Sequence, residues 1–299
     1  MSTATARLTA RFGQRRVALA AVGVAVVAAS ISAVLIRLSA APEPVMAFYR
    51  VLFTTLFLLP LARGTGGSFS RRDLLIAGVA GLALSAHFAT WFASVDRTTV
   101  AASVTLVQTQ PLFVAAGAVL LLGATLGRRA VIGIALAVAG VVVLSVDGLS
   151  GSVAPAPLLG NALAVAGAVG AAAYVLSGRS VRQRVPLVPY VLVVYSVAAA
   201  GLLAVALATD AALLGYPPRE WLLFLGMAVG PGLLGHTLIN WALEHVESTV
   251  VSVSLVGEPV GSAALAALLF GEIPGLLTLA GGAVIVTGIT LVAVSRAGG

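Results

Sequence analysis

The sequence predicts an all-α integral membrane protein whose ten transmembrane helices form two inverted five-helix repeats. Three observations predict this fold class: the composition, a series of apolar runs of spanning length, and a set of prolines and glycines that recurs at one offset. Hydrophobic residues make up 60% of the 299 residues and charged residues only 9%, whereas soluble domains carry about 25% charged residues. A chain with so much apolar surface needs a lipid bilayer around it.

Ten apolar runs approach the roughly 20 residues that a helix needs to cross a bilayer. Short segments that hold all but one of the arginines separate the runs, which cover 17–36, 44–62, 74–95, 99–122, 130–147, 157–178, 187–208, 220–243, 248–270 and 274–295. The first run follows four arginines, as in a signal peptide. It is longer than the hydrophobic region of about 7–15 residues in such a peptide, so we expect it to be the first spanning helix.

One proline and three glycines each have a counterpart of the same type 148 positions later in the sequence. They are Pro111, Gly123, Gly133 and Gly140, with the counterparts Pro259, Gly271, Gly281 and Gly288. The recurrence predicts two repeats, 17–147 and 157–295, with a linker between them. Because five helices per repeat is an odd number, we expect the second repeat to enter the membrane inverted, as in many transporters.

The arginines predict the orientation of the chain, since all 17 basic residues are arginines. With a cytoplasmic N-terminus, thirteen arginines lie in cytoplasmic segments and three in outer loops, namely Arg37, Arg97 and Arg219. The positive-inside rule therefore predicts that both termini are cytoplasmic in a multi-pass protein of a bacterial-type inner (plasma) membrane. The arginines are scattered over short loops, so we expect no nucleic-acid partner.

One motif resembles a known family. Glu258-Pro259, followed by an aliphatic run and Gly271-Glu272, resembles the second repeat of EamA-type transporters of the drug/metabolite transporter superfamily. The first repeat departs from the pattern, because Gln110 precedes the proline and Ala124 stands where Glu is usual. The resemblance covers roughly residues 17–295. It implies ten helices, two inverted bundles and alternating access for cargoes such as amino acids, metabolites, sugars or drugs.

Polar residues inside the predicted helices carry the functional signal, because a central charge costs roughly 2.5–3.5 kcal/mol on the insertion scale. Glu258 lies near the middle of the run 248–270, and Gln108 lies at the matching depth of the run 99–122. Glu258 is predicted either to carry a proton or bind a substrate ammonium group, or to support the kink at Pro259 structurally. Gln108 is predicted either to bind substrate or to form a hydrogen bond between helices.

Arg50 is the arginine that falls inside a predicted helix. It is predicted to bind a substrate carboxylate in bidentate geometry, to pair with Glu43 or Glu258, or to extend outward to the headgroups. Tyr49 beside it and Tyr195 in the corresponding helix of the second repeat are predicted either to form aromatic walls of the cavity or to pack in the core.

His87 and Trp91 are four residues apart and share one face of a predicted helix. His236 and Asn240 repeat that spacing in the second repeat. Each pair is predicted either to line the cavity or to form structural hydrogen bonds. Inverted symmetry would place the two histidines in opposite leaflets, so we do not expect them to share one site. Together with His245 they lack the spacing of metal ligands, and no metal is expected.

The predicted hinge residues are Pro111, Pro259, Gly230, Pro231 and Gly232. Each proline removes a backbone hydrogen bond. The Gly-Pro-Gly sequence is predicted to break the run 220–243 and line the cavity. Alternatively, Gly226 and Gly230 form a face for close helix packing.

The predicted function is secondary transport of small metabolites across the inner membrane by alternating access, with export of amino acids, metabolites or drugs. No ATP-binding motif is present in the sequence, so we expect transport to use a gradient. The predicted substrate-binding residues are Glu258, Gln108, His87, Trp91, Arg50, Tyr49, Tyr195 and Asn240.

The expected partners are a small-molecule substrate, the lipid bilayer and a proton as the coupling ion. No cofactor is expected, and the chain is expected to be a monomer or a homodimer. One alternative is a flippase for lipid-linked precursors, which needs a lateral opening and a basic pocket at the headgroups. Another is an integral-membrane enzyme, which needs a nucleophile, an acid–base pair or a metal cluster near one interface.

Overall fold

The computed structural model describes residues 14–62, 68–123, 125–147, 154–235, 238, 254 and 257–297. Within these ranges all regular secondary structure is helical. The helices are α1 Gln14–Leu38, α2 Glu43–Leu58, α3 Arg71–Arg97, α4 Val100–Val107, α5 Gln110–Leu122, α6 Arg128–Asp147, α7 Pro157–Arg182, α8 Leu187–Ala208, α9 Pro218–Met227, α10 Gly257–Phe270 and α11 Leu276–Ala297. A 3₁₀ turn, Leu59–Ala62, follows α2, and a π-helical segment, Ala228–Gly235, follows α9.

Eight helical stretches of the described chain are long and apolar enough to cross a membrane. One of them, Val100–Leu121, combines α4 and α5. The described chain therefore belongs to an all-α, multi-pass membrane protein. The helix α10 is apolar but short, and most of the predicted run at 248–256 lies outside the described residues, as do 239–243 at the end of the preceding run.

The predicted helix at 99–122 is broken rather than regular. The break falls at Gln108 and Thr109, between α4 and α5, and Pro111 follows it. Proline has no N–H to donate to the carbonyl four residues earlier, which weakens the preceding turn. The backbone forms a tighter turn there, because the Thr109 N–H donates to the carbonyl oxygen three residues earlier, that of Leu106, at 3.1 Å.

The last helix of each half packs against the other through glycines. A Cβ atom added at Gly133 in α6 would lie 2.6 Å from the carbonyl oxygen of Gly288 in α11. One added at Gly140 would lie 2.7 Å from the carbonyl oxygen of Gly281. The earlier residue of one helix meets the later residue of the other, so α6 and α11 cross antiparallel. All four glycines belong to the set that recurs in the sequence.

A second close packing surrounds α3. A Cβ atom at Gly81 of α3 would lie 2.7 Å from the carbonyl oxygen of Val194 in α8, and one at Gly170 of α7 would lie 2.9 Å from the amide nitrogen of His87. The helix α2 also packs on α8 and α3. The tight contacts therefore cross between the two halves of the sequence.

One end of the bundle is held by the start of α3. The Ser70 hydroxyl accepts a hydrogen bond from the Asp73 amide at 3.1 Å, and the Asp73 carboxylate accepts one from the Ser70 amide at 3.1 Å. This capping box satisfies N–H groups that a helix leaves unpaired. Arg184, between α7 and α8, lies 2.6 Å from the same carboxylate. The segments before α3 and after α7 thus lie at the same end of the bundle.

Candidate functional site

Glu258 and Gln108 meet in the interior. The Gln108 side chain donates a hydrogen bond from Nε2 to Oε2 of Glu258 at 2.6 Å. Gln108 ends α4 at the break, and Glu258 lies in the first turn of α10. The structure therefore brings together two predicted site residues, one from each half of the sequence. The hydrogen bond is consistent with either predicted role of Glu258, since it orients the carboxylate without neutralising it.

The helix α1 supports α10 at this point. The Ser30 hydroxyl donates to the carbonyl oxygen of Glu258 at 3.3 Å, and the Ser262 hydroxyl donates to the carbonyl oxygen of Ser30 at 3.0 Å. A Cβ atom at Gly261 would collide with the Ser30 side chain. We did not single out Ser30 or Ser262 from the sequence. The available signal was the Gly257 and Gly261 pair, whose four-residue spacing permits close helix approach.

Arg50 is buried beside this cluster, with only 5% of the residue exposed. Its Nη1 donates to the Ser32 hydroxyl of α1 at 2.9 Å, and its guanidinium carbon lies 4.7 Å from the centre of the Phe88 ring. The prediction that Arg50 extends to the headgroups is therefore wrong, because the side chain turns into the aromatic core. The predicted pairing with Glu43 is also wrong, because Glu43 pairs with Arg97 at 2.6 Å.

The predicted pairing of Arg50 with Glu258 takes a weaker form. No oxygen of Glu258 lies within 4 Å of the guanidinium among the described ion pairs. The two groups still interact electrostatically at longer range, as do Arg50 and Tyr195. Arg50, Glu258 and Tyr195 thus lie around one region of the interior, and the described residues show no ion pair between Arg50 and Glu258.

His87 and Trp91 lie side by side on α3, as their spacing predicts. Their rings stack with centroids 5.9 Å apart and planes 18° apart. The His87 Nδ1 atom lies 2.9 Å from the carbonyl oxygen of Gly167 in α7, so it links two helices. Trp91 is 5% exposed, and its buried Nε1 has no hydrogen-bond partner within the described ranges. Its ring centre lies 5.5 Å from the Arg50 guanidinium carbon.

Tyr49 belongs to a different cluster. Its ring stacks on Phe224 at 5.1 Å with an angle of 12°, and Trp221 meets it at 4.8 Å. Its hydroxyl donates to the carbonyl oxygen of Leu213 at 2.8 Å. These contacts match the packing alternative for Tyr49. Asn240, along with His236 and His245, lies outside the described residues.

The predicted hinge at 230–232 forms part of the π-helical segment after α9. A Cβ atom at Gly232 would lie 2.7 Å from the Thr54 hydroxyl of α2, whereas one at Gly230 would meet nothing within 4 Å. Of the close-packing face predicted for Gly226 and Gly230, a Cβ atom at Gly226 would lie 3.5 Å from the Leu35 side chain of α1, and the closer approach is the one at Gly232. Pro231 is buried in the segment. Pro259, the last predicted hinge, lies in the first turn of α10, where proline is tolerated.

A polar cluster ties the helices together at the end of the bundle opposite Arg184. Arg37 at the end of α1 lies 3.3 Å from Glu272, which follows α10, and donates to the carbonyl oxygen of Thr98 at 2.7 Å. Glu272 accepts a hydrogen bond from the Val100 amide at 2.9 Å. We call Arg37, Glu272, Thr98 and Val100 the end cluster. It joins the ends of α1 and α10 to the connection between α3 and α4.

Further contacts reinforce the same end. The Glu220 carboxylate accepts hydrogen bonds from the Ser39 hydroxyl and, at 3.2 Å, from the Ala40 amide. Arg219 donates to the carbonyl oxygen of Leu38 at 2.8 Å. A cavity of about 310 Å³ lies beside Arg37. All three arginines predicted to lie outside are therefore at this one end. In the ranges that the structure covers, no group of acidic residues and histidines is arranged to hold a metal ion.

Comparisons with known proteins identify the family. The model of the EamA-like transporter family matches residues 15–146 and again residues 158–294. The pseudopaline exporter CntI of Pseudomonas aeruginosa strain PAO1 is 28% identical over 255 residues, which cover 85% of this chain and 87% of that protein. CntI of strain UCBPP-PA14 matches to the same extent. A solved crystal structure shares the fold, with a TM-score of 0.62 and 22% identity over 94% of this chain and 98% of its own. The chain therefore belongs to the EamA-like transporter family, a family of transporters rather than enzymes.

Proposed function

We propose that this chain is a secondary transporter that exports small metabolites across the inner membrane by alternating access. Its family and its similarity to a pseudopaline exporter support export of a metabolite. The observation that carries the proposal is the hydrogen bond between Gln108 and Glu258. This bond joins a carboxylate to a side chain from the other half of the sequence, and charged residues within spanning helices generally mark a transport pathway.

Two packed groups of helices are the moving parts in this proposal. The first is α1 with α10, which Ser30 and Ser262 hold together. The second is α2, α3, α7 and α8, in which glycines permit backbone contact between α3, α7 and α8 and α2 packs on α3 and α8. Glu258 belongs to the first group, whereas Arg50 and Trp91 belong to the second. A substrate bound between them would contact both groups, and its binding would depend on their relative position.

The end cluster closes one end of this pathway. It joins the first group, through Arg37 and Glu272, to the α3–α4 connection, through Thr98 and Val100. We assign this end to the outer face, because its arginines are the three that the positive-inside rule leaves outside. Breaking these contacts opens the site to the outside, and forming them closes it again.

Inverted repeats give a structural reason for two states of the site, one open and one closed to the outside. The repeated glycines pair as Gly133 with Gly288 and Gly140 with Gly281. A two-fold rotation that exchanges the halves turns each of these contacts into the other. Because α6 and α11 run antiparallel, the axis of that rotation lies in the membrane plane, as in inverted-repeat transporters. We propose on this basis that 17–147 and 157–295 are inverted repeats.

A transport assay tests the proposed function. Purified protein is reconstituted into liposomes that contain no ATP, and uptake of labelled solutes is measured with and without unlabelled solute inside. The panel covers amino acids, small organic acids, cationic drugs and pseudopaline. We expect at least one solute to exchange faster than in empty liposomes. Exchange of none of them, together with scrambling of a labelled lipid-linked sugar, would support the flippase alternative instead.

A further inference from the structure

We propose that the Arg50 guanidinium and the Trp91 indole N–H together bind a carboxylate group of the transported substrate. The proposal rests on the proposed function only for the statement that the ligand is transported. The binding itself is a property of two side chains on α2 and α3. It names a substrate class, the carboxylate-bearing metabolites, on grounds independent of any relative.

The first argument is the charge balance of Arg50. A guanidinium carries five N–H donors, and among the described residues that of Arg50 makes one hydrogen bond, to Ser32. Arg37, Arg97 and Arg184 each lie within 4 Å of a carboxylate, although all three are more exposed than Arg50. A buried charge is costly unless it is paired and hydrogen-bonded. The remaining donors of Arg50 therefore suit an anionic group that arrives with the ligand.

The second argument is Trp91. Buried indole N–H groups usually have a hydrogen-bond partner, and that of Trp91 lacks one among the described residues. The stack on His87 and the edge contact with Phe92, with centroids 5.6 Å apart, fix the ring. The nitrogen therefore cannot turn away without disturbing the core. An acceptor near Arg50 would satisfy it.

The Arg50 guanidinium lies against the Trp91 ring, and we infer that one small group can reach the donors of both. The guanidinium carbon of Arg50 is 5.5 Å from the centre of the Trp91 ring and 4.7 Å from that of Phe88. A carboxylate has two oxygens and accepts parallel hydrogen bonds from a guanidinium fork. The aromatic rings around the fork exclude water, which strengthens such a bond. A neutral carboxamide of the same shape would keep one acceptor oxygen but lose the charge.

Matched pairs of acids and carboxamides test this inference. The probes are 3-phenylpropanoate with 3-phenylpropanamide, L-leucine with L-leucinamide, and succinate with succinamide. Binding to the full-length protein in detergent is measured by calorimetry and by the shift of the unfolding midpoint, so no transport is needed. We expect at least one acid to bind and its amide to bind about tenfold more weakly or worse, as for loss of a charged hydrogen bond.

Three variants connect the preference to the proposed residues. Arg50→Gln should abolish the preference for the acid. Trp91→Phe keeps the stacked ring and removes the donor, so it should reduce the preference while preserving Arg50. Arg184→Gln is the matched control, since Arg184 lies at the opposite end of the bundle against Asp73, and it should leave the preference unchanged.

Several results would overturn the inference. They are the absence of acid binding in all three pairs, equal binding of acid and amide, and an unchanged preference in Arg50→Gln or, if that variant does not fold, in Trp91→Phe. Failure of transport in liposomes with acid binding intact would refute the proposed function and leave this inference standing. Transport of solutes by a protein that binds acid and amide equally would refute this inference and leave the proposed function standing.

Discussion

Individual side chains in the interior connect different helices. Gln108 and Glu258 are 150 positions apart and share a hydrogen bond, and Arg50 reaches Ser32 across to α1. Polar and charged side chains are costly in lipid, and we propose that these residues lie on the transport pathway. Their substitution should change transport more than stability.

We expect Glu258→Gln to abolish the response of transport to a pH gradient. The glutamine keeps the size of the side chain and an oxygen that can accept the hydrogen bond from Gln108, but it cannot gain or lose a proton. Exchange of substrate across the liposome membrane should survive, because exchange needs no net proton movement. The measurement is uptake in liposomes with and without an imposed gradient, for both proteins.

The control for this prediction is Asp210→Asn. Asp210 is an exposed acid with φ of 51°, a conformation that asparagine tolerates, so the substitution removes a carboxylate without strain. It should leave the gradient response unchanged. If wild type and Glu258→Gln respond equally to the gradient, Glu258 is not the coupling group, and its role is to support the start of α10.

At the scale of helices, glycines determine which elements touch. They carry the crossing of α6 with α11, the packing of α3 against α7 and α8, and the approach of α10 to α1. The contact of α10 with α1 fixes the position of Glu258, whereas α2, which carries Arg50, is held by its packing on α3 and α8. Small residues allow such approach in lipid, where no hydrophobic force drives helices together.

Gly288→Ala should destabilise the protein. The new Cβ would collide with the carbonyl oxygen of Gly133, and overpacking of this kind costs about 1–3 kcal/mol. Gly78→Ala is the matched control, because a Cβ there meets nothing within 4 Å. Since alanine favours a helix over glycine by about 0.5–1 kcal/mol, it should stabilise slightly. The measurement is the unfolding midpoint of each variant in one detergent. Equal midpoints would contradict the prediction that the crossing of α6 with α11 stabilises the protein.

A paired substitution tests the contact of α1 with α10. Gly261→Ala introduces a Cβ against the Ser30 side chain, so we expect lower stability and slower transport. Adding Ser30→Ala removes the hydroxyl that collides and should recover part of both. The checks are the unfolding midpoint and the exchange rate. If the effects of Gly261→Ala and Ser30→Ala simply add in the double variant, the two side chains do not interact.

The sequence predicted the helices better than it predicted the contacts between them. Apolar runs locate spanning helices because the bilayer demands length and hydrophobicity, and the depth of Gln108 and Glu258 followed from counting residues. The hinge predicted at Pro111 falls slightly earlier, at Gln108 and Thr109, because the proline weakens the turn before it. Ser30 was missed because a serine in a helix can satisfy its hydroxyl within that helix. The direction of Arg50 depended on aromatic residues of α3, which a single helix does not reveal.

At the scale of the whole molecule, two packed groups of helices meet around the polar interior and are tied at one end by the end cluster. The opposite end carries the contact of Arg184 with Asp73. We propose that the end cluster faces the outer side of the membrane and that the opposite end faces the cytoplasm. The assignment and the movement between groups can be tested separately.

Reporter fusions test the orientation. A reporter after Arg72 should signal a cytoplasmic location, and one after Gly148 should signal the outer side, because the positive-inside rule places these segments on opposite faces. A reporter after Arg184 should match the one after Arg72, since Asp73 and Arg184 are in contact. Like signals from Arg72 and Gly148 would contradict both the orientation and the ten-helix topology.

Reversible crosslinking of the end cluster tests alternating access most directly. The chain contains no cysteine, so Val100→Cys with Glu272→Cys can be joined selectively by a short bifunctional methanethiosulfonate, and Asp73→Cys with Arg184→Cys serves as the control pair within one group. We predict that joining Val100 to Glu272 stops solute exchange, that a reductant restores it, and that joining the control pair leaves it unchanged. Exchange at the full rate with the end cluster crosslinked would contradict the account.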